Sequence, residues 1–279
     1  MVIPALVVLG VVYFYPLAYN IDLSLSRWQP TQGIPKTYVG LKNYIDLFSD
    51  DIFRKVIVNT VFFTAVSVPV EFFLGLGLAM LLNRNIRGRN LFTTLLSLPM
   101  IIAPVIAGIS WKWLYDYDYG VINYFLSLIG AQRVLWTSDP SIVMYSIIVA
   151  DIWTTTPFMM LILFAGLQMV PTQQYEAAKV DGASSWQTFW HVTLPSLKAI
   201  LVVALMIRII DAFTKLFDIV YILTGGFPFN VSGVLPIYAY RRGLTPFFNL
   251  GQGAAVSMIT LMFSAVMVAV LLTLSRRTK

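Results

Sequence analysis

The order of apolar and polar positions along the chain predicts a membrane protein with six transmembrane helices. Spanning the roughly 30 Å hydrocarbon core takes about 20 mostly apolar helical residues. Six apolar stretches reach that length, near residues 2–22, 56–82, 91–113, 140–165, 199–223 and 251–274. Because they are continuously apolar and do not alternate as barrel strands do, we expect an all-α integral membrane fold.

The connections between these stretches leave no room for a soluble domain. The two longest polar connections lie near residues 23–55 and 166–198, so we expect residues 1–279 to form a single transmembrane domain. The first run, Val2 to Asn20, lacks the basic start of a signal peptide and is longer than its apolar core. We therefore predict a retained helix there.

Composition agrees with this fold class. Hydrophobic residues make up 58% of the chain and charged residues 11%, against about a quarter charged in soluble domains. The formal charge of +6 comes mostly from residues beside the spans, which suits lipid headgroups and not nucleic acid. The absence of cysteine excludes disulfides and thiolate metal sites.

The distribution of basic residues predicts that both termini are cytoplasmic. Total Lys and Arg numbers on the two sides do not decide the orientation. Three arginines crowd the short turn from Asn83 to Asn90, and Arg276, Arg277 and Lys279 follow the last span. Dense basic residues near span ends mark the cytoplasmic side, so we expect a multi-pass protein of the cytoplasmic (inner) membrane.

Other connections carry weaker patterns. Gly40 to Lys55 has apolar residues at near-helical intervals and predicts an amphipathic helix in the outer interface. The aromatic residues between Trp111 and Tyr119 suit an interfacial belt, with sugar stacking as the alternative. Gly225 to Gly251 is rich in Gly and Pro and is predicted to be the last outer loop.

A polar segment, Tyr175 to Pro195, separates two of the apolar runs. Thr172 is a suitable N-cap for a short helix, and Gly182 stands where a left-handed residue would close it. Ser184 or Ser185 could then cap a second short helix through Trp190. We expect Leu194 and Pro195 to end that helix before the fifth span.

The same segment carries a motif. Its residues resemble the coupling loop of permeases from binding-protein-dependent ABC importers, at about residues 171–198; the matching positions are Glu176, Ala177, Ala178, Asp181, Gly182, Ala183, Leu194 and Pro195. The likeness extends to Tyr38–Tyr44 (YVGLKNY) and Leu223–Gly226 (LTGG). The chain is similar to carbohydrate permeases of the maltose and glycerol-3-phosphate type, and around the fourth and fifth spans to those for trehalose.

This resemblance implies a type I ABC importer permease fold with cytoplasmic coupling helices. It implies a second homologous permease subunit, two ATPase subunits gripping the coupling loops, and an extracytoplasmic sugar-binding protein. The chain would bind no cofactor, and ATP and Mg would belong to the ATPase subunits. Consistent with this, no Gly-Lys dipeptide occurs in the sequence, so a GxxxxGK[ST] phosphate loop is absent.

Charged residues inside the spans are candidate functional groups. Arg208, Asp211, Lys215 and Asp218 alternate in sign along one predicted helix face. Such charges must face the bundle or a water-filled cavity. They could form a series of structural ion pairs along the helix, or they could line a polar pathway and hydrogen-bond sugar hydroxyls. Glu71 in the second span is a further intramembrane candidate, with a structural hydrogen bond as the alternative.

The fourth span adds a second polar set. Asp151, Thr154, Thr155 and Phe158 share one predicted helical side. In maltose-type permeases the substrate side chains lie in the spans flanking the coupling loop, which corresponds to this set and to the charged fifth span. Charged Arg208 and Lys215 depart from the uncharged residues expected of a maltose site. Asp151 and Arg208 are the main substrate candidates.

Two other function classes fit parts of the pattern. A secondary transporter or channel could use Glu71 or Asp211 as a proton site without ATP, but it leaves the coupling motif unexplained. An intramembrane aspartyl protease could use Asp211 and Asp218, but the two share one predicted helix and no GxGD run occurs. We therefore expect a transport subunit that is not an enzyme.

Overall fold

The computed structural model describes residues 7–84, 86–228, 230–245 and 248–277. Residues 2–6 of the predicted first span and Lys279 lie outside this part of the chain. The described chain is mainly helical, with one two-stranded antiparallel sheet. In chain order the elements are α1 (Val7–Ser24), β1 (Ser26–Gln29), β2 (Ile34–Tyr38), α2 (Lys42–Ser49), α3 (Asp51–Leu82), α4 (Arg89–Ile101), α5 (Pro104–Leu114), α6 (Val121–Leu128), α7 (Val143–Gln168), α8 (Thr172–Val180), α9 (Ser185–Thr214), α10 (Phe217–Leu223), α11 (Leu235–Leu244) and α12 (Leu250–Arg277).

Five of the described helices are long and apolar enough to cross a membrane: α1, α3, α7, α9 and α12. The bent pair α4 and α5 makes a sixth crossing if it counts as one span. In the most apolar window of α1 only 6% of residues are buried, against 50% in α7. Helix α7 is therefore the centre of the bundle and α1 its periphery.

The third predicted span, 91–113, is not one straight helix. Helices α4 and α5 meet at an angle of 93°. Pro104 opens α5, and Ala103 before it has a non-helical backbone, with φ of −56° and ψ of 136°. A proline lacks an N–H and drives the preceding residue out of the helical region, so the helix breaks at this point.

The fifth predicted span, 199–223, is also interrupted. Helix α9 ends at Thr214, Lys215 has a non-helical backbone, and α10 begins at Phe217. No Gly or Pro occurs between Arg208 and Thr224, so the break has no local signal. It places Leu216 in the core beside Ile219 and Val220.

The connections expected on the outer side contain structure that the sequence patterns did not predict. Strands β1 and β2 form a hairpin between α1 and α2. The predicted amphipathic helix of residues 40–55 divides at Asp50, so that α2 ends at Ser49 and the remainder begins α3. The predicted last outer loop holds helix α11, which packs against α12.

Close approaches between helices fix the bundle. A Cβ built on Gly75 of α3 would lie 2.8 Å from Met159 Cβ on α7. Between α7 and α9, a Cβ built on Gly166 of α7 would lie 2.8 Å from Ile200 Cδ1 on α9. Small residues at such contacts let membrane helices pack backbone to backbone. Helices α3, α7 and α9 therefore form one tightly packed group.

Candidate functional site: an ion-pair cluster, a cavity and a coupling segment

A cluster of charged side chains lies at the centre of the bundle. Arg208 on α9 donates from Nε and Nη2 to the two carboxylate oxygens of Glu71 on α3, with Nη2 2.8 Å from Oε1. The same Nη2 also donates to Oδ2 of Asp151 on α7. These side chains are 4%, 0% and 11% exposed respectively. One guanidinium thus joins three helices inside the bundle.

This arrangement differs from the ladder expected along the fifth span. Arg208 pairs across helices with Glu71 and Asp151. Asp211 pairs instead with Lys215, at 2.9 Å and four residues on. Asp218 lies on α10, beyond the break at Lys215, so the expected continuous face from Arg208 to Asp218 is wrong.

A cavity of about 130 Å³ borders the cluster. Six of the seven residues predicted to line the substrate pathway line this cavity; they are Asp151, Thr154, Thr155, Arg208, Asp211 and Lys215. Phe158, the seventh, is half-buried and is not among the lining residues. The shared helical side of α7 therefore faces the cavity over Asp151 to Thr155.

The remaining cavity wall comes from residues that sequence patterns missed. Pro104 and Ala107 on α5 and Leu216 and Ile219 near α10 complete the lining. They reach the cavity only because α4 and α5 are bent and the fifth span is broken. The sequence contained one signal for the bend between α4 and α5: Pro99 and Pro104 lie on either side of it, and prolines commonly mark helix breaks.

Polar groups on the cavity wall are suited to hydrogen bonding. The Thr154 and Thr155 hydroxyls donate to the carbonyls of Ala150 and Asp151, at 2.8 and 2.7 Å. Their oxygen lone pairs remain able to accept a further hydrogen bond. The Lys215 side chain is 74% exposed and that of Asp211 30%. The wall thus offers acceptors and a cationic donor side by side.

The predicted coupling segment forms a helix–turn–helix that extends from the bundle. Helix α8 ends before Gly182, whose φ of +73° is the left-handed value expected there. Ser184 caps α9 through a capping box: Gln187 N donates to Ser184 Oγ at 3.3 Å, and Ser184 N donates to Gln187 Oε1 at 2.8 Å. Glycine permits the sharp turn between the two helices.

Two details of this segment differ from expectation. Thr172 is the first helical residue and Pro171 occupies the cap position. Leu194 and Pro195 do not end the second helix, because α9 runs without interruption from Ser185 to Thr214. A π-helical turn at Phe189–Thr193 precedes Pro195. Its wider hydrogen-bond spacing accommodates the proline without a break.

The coupling segment presents an exposed surface. No residue of α8 is buried, and Glu176, Ala177, Asp181 and Gly182 are exposed. Ala178, Ala183 and Leu194 are half-buried, and Pro195 is exposed. Val180 and Trp186 are 87% and 68% exposed. Five of the eight motif residues are therefore exposed on this chain.

Helix α8 is held to the start of α9. Tyr175 Oη and Thr193 Oγ1 lie 3.3 Å apart, and Ser196 Oγ donates to Gln174 Oε1 at 3.2 Å. Both bonds join α8 to the helix that leads into the bundle. A force applied to α8 would therefore reach α9 directly.

A second ion pair joins the start of α3 to α11. Asp50 caps α3 by accepting from Ile52 N at 2.8 Å, and it pairs with Arg242 on α11. Tyr238 donates its hydroxyl to Asp50 at 2.8 Å. Burial raises the pKa of the Asp50 carboxyl, but the Tyr238 and Ile52 hydrogen bonds and the Arg242 charge outweigh it and hold the pKa below its ordinary value.

The arrangement of the described side chains does not indicate a metal site. Among the described residues, no group of three or more His, Cys, Asp or Glu side chains is arranged to hold a metal ion.

The model of one protein family, described as the binding-protein-dependent transport system inner membrane component, matches residues 71–279. The chain belongs to this family. Its members are the permease subunits of ABC transporters, which are not themselves enzymes. The protein is therefore a multi-pass inner-membrane transport subunit, and the protease alternative is wrong.

Relatives in this permease family extend the match over nearly the whole chain. A trehalose/maltose transport system permease protein from Thermococcus litoralis is 39% identical over 93% of this chain and 87% of its own. A trehalose transport system permease protein from Mycobacterium tuberculosis is 38% identical over 93% of this chain and 82% of its own.

A solved structure shows the same permease fold. One chain of a bacterial ABC transporter that imports the acidic polysaccharide alginate superposes with a TM-score of 0.85. The two chains are 25% identical, and the match covers 99% of this chain and 94% of the other. The expected type I ABC importer permease fold is thus confirmed.

Proposed function

We propose that this chain is half of the membrane pathway of an ATP-driven sugar importer, with a disaccharide such as trehalose or maltose as its substrate. The relatives named for trehalose and maltose support this substrate class. An external ATPase acts on the coupling segment, and the motion opens or closes the central cavity.

The observation that carries the proposal is the unbroken helix α9. It begins in the exposed coupling segment at Ser185 and ends at Thr214, next to the cavity residues Asp211 and Lys215. At 1.5 Å per residue, the helix connects the two sites over about 40 Å. A displacement of the coupling segment is therefore transmitted to the cavity wall without a flexible joint.

The size of the cavity supports a paired pathway. Ligand sites usually enclose about 300 to 1,000 Å³, and the cavity in this chain holds about 130 Å³. We propose that a second homologous permease subunit supplies the rest of the wall. The sugar then lies between the two subunits.

Within this chain we propose four groups as direct sugar contacts; they are Thr154, Thr155, Asp211 and Lys215. Hydroxyls and a carboxylate accept hydrogen bonds from sugar hydroxyls, and an ammonium donates them. Arg208 and Asp151 also border the cavity, but their charged groups bind each other and Glu71. Their proposed contribution is to hold the wall in place.

The proposed partners follow the same logic. Two ATPase subunits, with ATP and Mg, would dock on α8 and its counterpart, with Glu176 and Gly182 at the contact. An extracytoplasmic binding protein would deliver the sugar. A solved alginate transporter in complex with its alginate-loaded periplasmic protein supports that partner. With the coupling segment in the cytoplasm, both termini are proposed to be cytoplasmic too.

Uptake into vesicles that contain the assembled transporter tests the proposal. We expect labelled disaccharide to accumulate in the vesicles only when ATP is supplied on the side of the membrane that carries the ATPase subunits. A proton ionophore should leave that uptake unchanged. Accumulation that continues without ATP and collapses with the ionophore would instead establish a secondary transporter.

A further inference from the structure

The central cluster contains one more acid than base. Glu71 and Asp151 contribute two carboxyl groups, and Arg208 contributes one guanidinium. With both acids ionised, the cluster would hold a net negative charge at positions that are 11% exposed or less. Isolated charge buried in a membrane bundle is costly, and proteins neutralise it by pairing or by binding a proton.

The geometry brings the two acids together. Glu71 Oε1 and Asp151 Oδ2 accept from the same atom, Nη2 of Arg208. The two carboxyl groups are therefore close neighbours at side chains that are 11% exposed or less. Repulsion between two carboxylates so placed, with one guanidinium to offset it, favours a single proton held by the pair.

Surrounding charges do not remove the imbalance. Asp211, one turn along α9 from Arg208, carries a further negative charge, and Lys215 pairs with it at 2.9 Å. Among the described residues, Arg208 is the one basic side chain within ion-pair distance of Glu71 or Asp151. Thr155 directs its hydroxyl to the Asp151 carbonyl. No second cation in this part of the chain balances the second acid.

We propose that Glu71 and Asp151 together bind one proton, which makes the cluster with Arg208 electrically neutral and fastens α3, α7 and α9 into one unit. The proton is resident and is not transported. Separating any of the three helices would leave a buried charge unpaired. The helices therefore move together during transport, and the motion occurs at other contacts.

The inference depends on the cluster and not on the identity of the sugar, so its test is independent of uptake. Infrared spectra of the assembled transporter in membranes distinguish a protonated carboxyl from a carboxylate. We expect a protonated-carboxyl band at neutral pH in the wild type. Glu71→Gln and Asp151→Asn should each remove it, because one ionised acid then pairs with Arg208. Asp46→Asn, at an exposed position on α2, is the control and should keep it.

Melting temperatures of the same variants test whether Glu71 and Asp151 together balance the single charge of Arg208. Each single amide variant should assemble with a melting temperature near that of the wild type, because the remaining acid is ionised and its charge still balances that of Arg208. The double variant, Glu71→Gln with Asp151→Asn, should melt lower than either single variant, because Arg208 then has no anion.

Three results would overturn the inference. The first is a spectrum in which neither single variant loses a protonated-carboxyl band. The second is a double variant as stable as the singles. The third is failure of both single variants to assemble, since an amide should substitute for a protonated acid.

Discussion

Arg208 and Glu71 lie 137 residues apart in the chain, and the guanidinium of one binds both carboxylate oxygens of the other inside the bundle. The pair joins α3 to α9, and Asp151 adds α7. The helices that carry the cavity wall are therefore tied together next to the cavity.

Replacing Arg208 with Ala should destabilise the subunit strongly. It leaves two buried carboxyl groups without their cation, and breaking a buried pair costs about 3 to 5 kcal/mol. We expect a lower melting temperature and little assembled transporter. Arg54→Ala is the control: its pair with Asp51 is 61% and 92% exposed, and exposed pairs contribute about 0 to 1 kcal/mol. Equal losses in both variants would contradict a special role for Arg208.

The close packing of α3 on α7 predicts that substitution destabilises the subunit at one glycine of α3 and has no effect at another. Gly75→Ala places a Cβ 2.8 Å from Met159 Cβ and 2.9 Å from the Met160 backbone nitrogen. Overpacking of this kind costs about 1 to 3 kcal/mol. Gly77→Ala meets nothing within 4 Å and should be neutral. Thermal unfolding of the purified subunits compares them, and equal stability of the two would refute the contact.

The turn at Gly182 predicts a coupling defect that asparagine rescues. Gly182→Ala forces a side chain into the left-handed region, at a cost of about 1 to 2 kcal/mol. We expect ATP-driven uptake to fall while insertion into the membrane is retained. Asn tolerates this backbone conformation, so Gly182→Asn should keep most of the uptake. The prediction fails if the alanine variant transports like the wild type.

The exposed surface of α8 predicts an ATPase contact at Glu176. Glu176→Lys reverses a charge at an exposed position and should not disturb folding. We expect loss of the ATPase subunits on copurification and loss of uptake. Lys179→Glu, a charge reversal at an exposed position on the same helix, measures the general effect of charge. Retention of the ATPase subunits by the Glu176 variant would exclude the contact.

Asp211 predicts a change in sugar affinity. Asp211→Asn removes a charged acceptor from the cavity wall, and a hydrogen bond to a charged group contributes about 1.5 to 3 kcal/mol. The apparent KM for the sugar should rise by about 10- to 100-fold, with ATPase subunits still bound. Initial uptake rates over a range of sugar concentrations give this value. An unchanged KM would remove Asp211 from the sugar contacts.

The Asp50 ion pair predicts acid sensitivity where α3 begins. Because the folded protein holds the Asp50 pKa below its ordinary value, ionised Asp50 stabilises the fold above about pH 4. That contribution is lost as pH falls through the lowered pKa. Asp50→Asn should be less stable than the wild type at neutral pH, and the difference should shrink in acid. A difference independent of pH would contradict this.

Much of the fold follows from local sequence patterns, but some elements depend on contacts between distant parts of the chain and could not be predicted from those patterns. The apolar runs give α3, α7 and α12 because a membrane helix needs only length and apolarity. Gly182 and Ser184 define the turn between α8 and α9 because left-handed backbone and capping depend on neighbouring residues. The helix break after Thr214 has no such local signal, since it depends on Leu216 entering a core formed by distant helices.

The candidate site divides in the same way. The sequence by itself determined the class of protein, the helix–turn–helix around Gly182 and the charged residues that had to face the interior, because hydrophobicity, capping and helix spacing are local properties. Tertiary structure alone decided the partners: Arg208 pairs with Glu71 and Asp151, not with Asp211 on its own helix. Packing of α3, α7 and α9 brings those acids to the guanidinium, and spacing within one helix carries no information about that packing.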